Sequence, residues 1–331
     1  MITVLGSGAW GTTFTAVLAD AGNDVLMWGR DPAVVEEINH SHTNRGYMPA
    51  RGLPESVSAT GDLADAVARA ESLVVAVPSQ AARGALAGMG EYLRPSASVI
   101  SLMKGIELGT DLRMTQMLHE VLGVASERLV ALSGPNLAGE IADLQPTASV
   151  AACKDIARAE EVAELCATAY FRTYVNDDVV GVELAGAVKN VIAVAVGMAK
   201  GSGFGDNTAA TIITRGLAEI TRLAVAEGAD PATLAGLAGM GDLVATCSSS
   251  LSRNHRLGLA LGRGMSLDEA IETTGGTAEG AKSCRSVAHL AASAGVEMPI
   301  TNAVVAVLYK GLGVRDMTAA LLSRPRKDER R

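Results

Sequence analysis

Apolar positions along this chain follow two rhythms. As far as residue 178, short apolar runs alternate with stretches of helical period. The runs lie at 2–5, 25–28, 73–77, 98–102, 129–132, 147–152 and 171–175. Such alternation predicts strands of a mostly parallel sheet with helices between them. Beyond 178 the strand-like runs stop. Helical patterns then cover 183–199, 207–227, 231–237, 254–262, 266–273, 279–294 and 299–311. Two domains are expected, an α/β domain over 1–178 and an all-α domain over 179–331.

One segment breaks both rhythms. Residues 184–199 read LAGAVKNVIAVAVGMA, with only Lys189 and Asn190 polar. A helix apolar on every face is a buried one. The segment is shorter than a membrane span and carries a lysine near its middle, so a core helix is the reading and no stable membrane insertion is expected. On a helical wheel Lys189 shares its stripe with Ala185, Gly186, Ile192, Ala193 and Val196. An unpaired ammonium there is costly and tends to lose its proton. It needs an anionic partner, a ligand or a chemical task. A structural ion pair with a buried carboxylate is the competing reading.

The first apolar run leads directly into Gly6-Ser7-Gly8-Ala9-Trp10-Gly11. A helical pattern follows through Phe14, Val17, Leu18 and Ala21, and then the run at 25–28. Strand, glycine turn, helix and strand form the context in which GxGxxG marks a dinucleotide site. Gly6 would permit the tight turn, Gly8 the approach of backbone to a pyrophosphate, and Gly11 the packing of helix on strand. The helix N-terminus would offer its N–H groups to the phosphates. The N-terminal half is therefore read as a Rossmann-like doubly wound sheet. Ligands of such sheets lie at the carboxyl ends of the strands. That edge would also carry Pro78-Ser79, Lys104-Gly105 and Ser133-Gly134-Pro135. Arg30 and Asp31 follow the second strand. An arginine suits the 2′-phosphate of NADP, whereas an acid suits the free ribose of NAD. The reading leans to NADPH, with NAD left open and a solvated turn arginine as the alternative.

Composition narrows the function classes. The chain has 331 residues, of which 48% are hydrophobic and only 3% aromatic, with 36 glycines. Packed helices and α/β layers fit that content better than an aromatic-rich β-sandwich. A formal net charge of −8 without a basic stripe argues against nucleic acid and anionic membranes as partners. The four cysteines, Cys153, Cys166, Cys247 and Cys284, form no CxxC pair, which fits a reducing cytosol. No charged stretch followed by an apolar one precedes the first run, so no export leader is expected. The five histidines offer no HExxH or helical pair, and no metal is expected. Neither a P-loop nor a GxSxG elbow is present. The charge-dense 324–331 reads as a solvated tail.

In the second half, Gly239-Met240-Gly241-Asp242-Leu243 precedes Thr246 and then Ser252-Arg253-Asn254. Arginine and asparagine at a predicted helix start suit a dianionic phosphate, although such a triplet also reads as a plain helix cap. The glycine-rich 201–207 loop offers backbone access rather than chemistry.

Together these pieces resemble the bacterial NAD(P)-dependent glycerol-3-phosphate dehydrogenases. The matching stretches are GSGAWG at 6–11, WGRD at 28–31, VAVPSQ at 75–80, KGIE at 104–107 and SGPNLAGE at 133–140. They continue with GAVKNVIAVAVGMAKGSGFGDN at 186–207, ITRGLAE at 213–219, GLAGMGDL at 236–243, SRN at 252–254 and AEG at 278–280. The resemblance implies a cytoplasmic enzyme that interconverts dihydroxyacetone phosphate and sn-glycerol 3-phosphate with NADPH or NADH and supplies phospholipid backbones. It implies Lys189 as proton donor and acceptor. It places Lys104, Gly134, Asn136, Asp242, Ser252, Arg253 and Asn254 around the substrate. It gives Ala9, Trp10, Arg30, Lys104, Ala138, Arg253, Thr277 and Glu279 to the cofactor, beside Gly6, Gly8 and Gly11. Where Asn136 stands the family often has Ser or Thr, and at Thr277-Ala278 a bulkier β-branched pair, so their backbones rather than their side chains are implied. A homodimer is left open.

The chemistry of the residues agrees. A carbonyl oxygen that gains negative charge on reduction is stabilised and protonated by a lysine beside it. Asp242 is the candidate partner that orients Lys189. Two other readings compete: a reductase of another small acid, such as a 3-hydroxyacid or 6-phosphogluconate dehydrogenase, and a nucleotide-binding sensor without catalysis. Arg253-Asn254 and the GDL segment argue against the first, and the buried lysine against the second.

Overall fold

The computed structural model describes residues 1–274 and 278–317, so Thr277 and the 324–331 tail lie outside the described residues. Eight strands form one sheet: β1 (Ile2–Leu5), β2 (Val25–Trp28), β3 (Val57–Thr60), β4 (Ser72–Val75), β5 (Ser98–Ser101), β6 (Leu129–Ser133), β7 (Thr147–Ala152) and β8 (Phe171–Asn176). Their spatial order is β3-β2-β1-β4-β5-β6-β7-β8. The first six strands are parallel, β7 runs antiparallel to β6, and β8 is parallel to β7. The chain order reverses between β1 and β4, which opens the crevice where such sheets bind ligands.

The apolar runs are continuous because helices cover both faces. Val4, Val74, Ile100 and Val130 pack with Phe14, Val17 and Leu18 of the Ala9–Asp20 helix. Leu5, Leu73, Val75, Val99 and Leu129 belong to the opposite layer, with Leu86, Met117 and Leu118. The sequence pattern missed β3. Its residues are Val-Ser-Ala-Thr, only the alternate Val57 and Ala59 are buried, and it is an edge strand. The 73–77 run is also shorter as a strand, ending at Val75.

The described elements after β8 are all helical. The apolar segment lies inside one 23-residue helix, Val179–Gly201, capped by the Asp178 carboxylate on Gly181 N–H. It is long and apolar enough to cross a membrane by length alone, yet nearly all of it is buried inside the protein. Around it pack Asp206–Ala226, Asp242–Ser248, Arg253–Gly262, Glu279–Ser293 and Pro299–Lys310. The short helix Asp242–Ser248, which had no sequence signal of its own, follows a turn of π-helix at Leu237–Gly241.

Glycine sets the tightest of these contacts. Gly197 and Gly201 of the central helix face Gly258 and Gly262 of Arg253–Gly262. A Cβ on Gly258 would stand 2.1 Å from the Val194 carbonyl oxygen, and one on Gly197 2.2 Å from that of His255. The two helices therefore meet backbone to backbone, and any side chain at the crossing forces them apart. Gly258→Ala is expected to destabilise the protein by about 1–3 kcal/mol, the usual range for overpacking. Urea denaturation checks this, with Gly84→Ala as control. Gly84 lies exposed in the Ser79–Leu86 helix with open space at its Cβ, so its change should be neutral or stabilising.

Candidate active site

The glycine turn is built as its spacing predicts. Gly6 has φ +121°, a conformation that favours glycine, and its N–H donates to the Trp28 carbonyl at 3.0 Å. A Cβ on Gly11 would lie 2.0 Å from the Gly6 carbonyl oxygen, so only glycine lets the helix start so close to β1. A Cβ on Gly8 would meet nothing within 4 Å. Gly8 is the N-cap of Ala9–Asp20 and offers no side-chain cap, which leaves the first N–H groups of that helix open. The indole Nε1 of Trp10 is buried without a partner among the described residues. The Ala138 carbonyl accepts the Thr13 hydroxyl at 3.4 Å, which ties 138 to the same helix.

Past β2, a groove of about 610 Å³ is lined by Gly29, Arg30, Pro32, Val35, Glu36, Asn39, His40 and Gly61. Arg30 is exposed and has no hydrogen-bond or ionic partner among the described residues. Asp31 is committed elsewhere: its carboxylate caps Pro32–Ser41 by accepting Ala33 N–H at 2.9 Å. A bare glycine turn, an uncapped helix N-terminus and an exposed arginine beside a groove fit a dinucleotide.

A second set of groups gathers where the carboxyl edge of the sheet meets the central helix. Lys104, just past β5, reaches across the seam. Its Nζ donates to the Gly134 carbonyl at 2.9 Å and to Asp242 Oδ2 at 2.7 Å. Gly186 packs beside it and makes room for Ser133, since a Cβ there would stand 2.9 Å from Ser133 Oγ but in ordinary contact, 3.5 Å, with Lys104 Cγ. Lys189 Nζ donates to Asp242 Oδ1 in a short ion pair and to Thr246 Oγ1 at 2.7 Å. Asp242 is 1% exposed and Lys189 5%. Burial pushes the Lys189 ammonium down to about 8. Asp242 opposes that shift and the nearby charge of Lys104 adds to it.

Behind this pair runs a chain of amides. Asn190 Nδ2 donates to the Lys104 and Gly186 carbonyls, each at 3.3 Å. Asn190 Oδ1 accepts Asn254 Nδ2 at 3.0 Å, and Asn254 Oδ1 accepts Gly280 N–H at 2.9 Å. The Asn254 amide thus links three helices. Ser252 is the N-cap of Arg253–Gly262, its Oγ accepting His255 N–H at 3.2 Å, while Arg253 is exposed at the first helical position. Asn136 Nδ2 donates to Ser149 Oγ at 3.1 Å, and its Oδ1 is buried without a partner among the described residues. Glu279 accepts the Ser79 hydroxyl at 2.6 Å, a further bridge between the halves.

Lys104, Gly134, Lys189 and Asp242 thus form one hydrogen-bonded cluster, and Asn254 joins it through Asn190. Gly6, Gly8, Ala9, Trp10, Gly11 and Ala138 form another group around the glycine turn. Arg30 and Arg253 stand outside both networks. Thr246 and Asn190, noted in the sequence but given no role there, also belong to the cluster. Thr246 lies four residues after Asp242, one turn along a helix that had no sequence signal of its own, so their pairing was not legible. Among the described residues no cluster of metal-ligating side chains occurs.

A family model described as the N-terminus of NAD-dependent glycerol-3-phosphate dehydrogenase matches residues 1–169, and its C-terminal counterpart matches 178–319. The chain is 56% identical over 330 residues to the glycerol-3-phosphate dehydrogenase [NAD(P)+] of Thermobifida fusca, covering 99% of this chain and 98% of that one. It is 53% identical to the enzyme of the same name from Streptomyces griseus, over 99% and 98% of the two chains. The crystal structure of glycerol-3-phosphate dehydrogenase from Coxiella burnetii superposes with a TM-score of 0.93 at 36% identity, covering 98% of each chain. With both halves matched in order, the chain belongs to the NAD-dependent glycerol-3-phosphate dehydrogenase family.

Proposed function

We propose that the protein reduces dihydroxyacetone phosphate to sn-glycerol 3-phosphate reversibly, with NADPH or NADH, and that Lys189 is its proton donor. The observation that carries this reading is the buried Lys189–Asp242–Lys104 cluster at the carboxyl edge of a dinucleotide-binding sheet. In this reading residues 1–178 hold the cofactor and 179–331 supply the catalytic lysine. The enzyme is cytoplasmic and supplies glycerophospholipid synthesis.

The nicotinamide, when bound, supplies the hydride for the carbonyl carbon. Gly6, Gly8, Ala9, Trp10 and Gly11 hold the dinucleotide through backbone and helix N–H groups. Arg30, Lys104, Ala138, Arg253, Thr277 and Glu279 complete that set. The substrate oxygen gains negative charge as it is reduced. Lys189 neutralises that charge and delivers its proton to the oxygen. Asp242 and Thr246 fix the ammonium so that one N–H remains for the substrate. Lys104, held by Gly134 and Asp242, adds a second positive charge against an anionic substrate. Arg253, with Ser252 and Asn254 at a helix N-terminus, suits the phosphate, and Asn136 lies beside Gly134.

Loss of NADPH absorbance on addition of dihydroxyacetone phosphate tests the activity. Unphosphorylated dihydroxyacetone should be a far poorer substrate. Lys189→Met keeps an apolar, unbranched side chain and removes the donor. Turnover should fall by roughly 10²–10⁴-fold, the usual size of a general acid's contribution. Near-normal turnover would overturn the assignment.

The lowered Lys189 pKa gives the pH dependence a sign. Reduction requires the protonated lysine, so its kcat/KM should fall once the pH passes about 8. Oxidation of glycerol 3-phosphate requires the neutral amine and should rise through the same region. Profiles of both directions that move together would contradict a lysine acid and base.

Cofactor preference follows from the loop after β2. With Asp31 turned to cap its helix, Arg30 is the group free to meet a 2′-phosphate, which favours NADPH. A charge-assisted hydrogen bond contributes about 1.5–3 kcal/mol, so Arg30→Ala should lower the preference for NADPH over NADH by roughly tenfold or more. Steady-state constants for both cofactors decide it. A strong NADH preference unchanged in Arg30→Ala would rule out the NADPH reading and leave the reductase reading intact.

A further inference from the structure

Among the fully buried polar side chains, Asn44 has no part in the chemistry described above. It lies in the irregular stretch between Pro32–Ser41 and β3, a region that carries no glycine or phosphate motif. Its amide nitrogen crosses 37 residues of sequence to donate to the Ser7 carbonyl at 3.0 Å, and it also donates to Thr12 Oγ1 at 2.8 Å. The Thr12 hydroxyl in turn donates to the Ser7 carbonyl at 3.3 Å. Ser7 lies between Gly6 and Gly8, and Thr12 is in the first turn of Ala9–Asp20, so the three groups close a triangle beneath the glycine turn. Asn44 itself is fixed from outside, since its carbonyl accepts the N–H groups of Tyr47 at 3.1 Å and of buried Met48 at 2.8 Å.

We propose that Asn44 is a positioning residue for the cofactor, holding the Ser7 carbonyl inward so that the glycine turn presents N–H groups, not oxygens, to the pyrophosphate. The inference rests on the dinucleotide reading of that turn. The physical need is specific. A pyrophosphate is attracted by backbone N–H groups and repelled by carbonyl oxygens. Gly6 and Gly8 make the turn compact, but glycine has wide conformational freedom and does not by itself fix which way the intervening peptide faces. Two donors on the Ser7 oxygen remove that freedom. The amide oxygen of Asn44 is buried without a partner among the described residues, which is unfavourable for stability. The side chain is therefore kept for its donor rather than for its own satisfaction.

The test is equilibrium binding of NADPH and NADH to the purified chain, read by cofactor fluorescence and calorimetry. Three variants are compared: Asn44→Ala, the near-isosteric Asn44→Asp and Thr12→Val. Both cofactors share the pyrophosphate, so both dissociation constants should rise by roughly tenfold, the effect of losing one or two hydrogen bonds, with the ratio between them unchanged. ADP-ribose, which keeps the pyrophosphate and lacks nicotinamide, should weaken in parallel. The KM for dihydroxyacetone phosphate and the turnover at saturating cofactor should stay near those of the unaltered chain. Thr12→Ser, which restores a hydroxyl, should bind normally. If Asn44→Ala fails to fold, Thr12→Val and Thr12→Ser carry the comparison. Unchanged cofactor affinity in the folded variants, even with a lowered melting temperature, would mean a structural asparagine and overturn the proposal. Absence of NADPH and NADH binding by the unaltered chain would overturn the dinucleotide reading itself.

Discussion

The site depends on one ion pair buried inside one apolar helix. The Val179–Gly201 helix is buried along nearly its whole length, and the Lys189 side chain is almost wholly removed from water. A charge so placed must be paired or must lose its proton. Asp242 pairs it with one carboxylate oxygen and holds Lys104 with the other. A buried pair of this kind adds little net stability, because desolvation offsets the attraction. In the proposed mechanism the lysine is the proton source, with its pKa brought down by burial to about 8.

Keeping that lysine dry constrains the rest of the helical half. The central helix must be enclosed, yet Asn254 must also reach Asn190 from the Arg253–Gly262 helix. The glycine contacts at 197 with 258 and at 201 with 262 let the two backbones approach closely enough for both. Gly280 extends the logic on another side: a Cβ there would stand 2.4 Å from the Asn190 carbonyl oxygen. The small residues of the 184–199 segment are therefore tied to site geometry and not to helix propensity, which glycine lowers.

Much of this was legible in the sequence because the signals were local. The glycine turn sits between two strands and a helix, all within the first 28 residues, and its spacing alone anticipates the tight turn at Gly6 and the close packing at Gly11. The apolar segment announces a buried lysine by its composition. The reading failed where structure depends on distant partners. β3 is strand only because it hydrogen-bonds along β2, and its own residues give half an apolar face. Asn44 in a polar stretch gave no hint that it would end beneath Ser7. The Asp31 carboxylate could have faced a ribose or capped a helix, and Pro32 at the first helical position was the available clue to the cap. Asp242 was nameable as a candidate, but its contact with Lys189 spans 53 residues that no periodicity links.

The charge distribution completes the account of how an acidic chain accommodates an anionic substrate. The net charge is −8, which taken alone would repel a phosphate. The field that matters is local. Two ammonium groups share one carboxylate in a site with little water, which leaves a net positive centre, and low dielectric surroundings strengthen its pull. Arg253 adds an exposed positive charge at the start of the Arg253–Gly262 helix. The same arrangement explains why Asp242 must be aspartate. Its two oxygens are both used, one on each lysine, so a neutral amide would leave one ammonium facing an N–H donor. The carboxylate holds the two cations side by side, and in the proposed mechanism their shared charge is what the reacting oxygen meets.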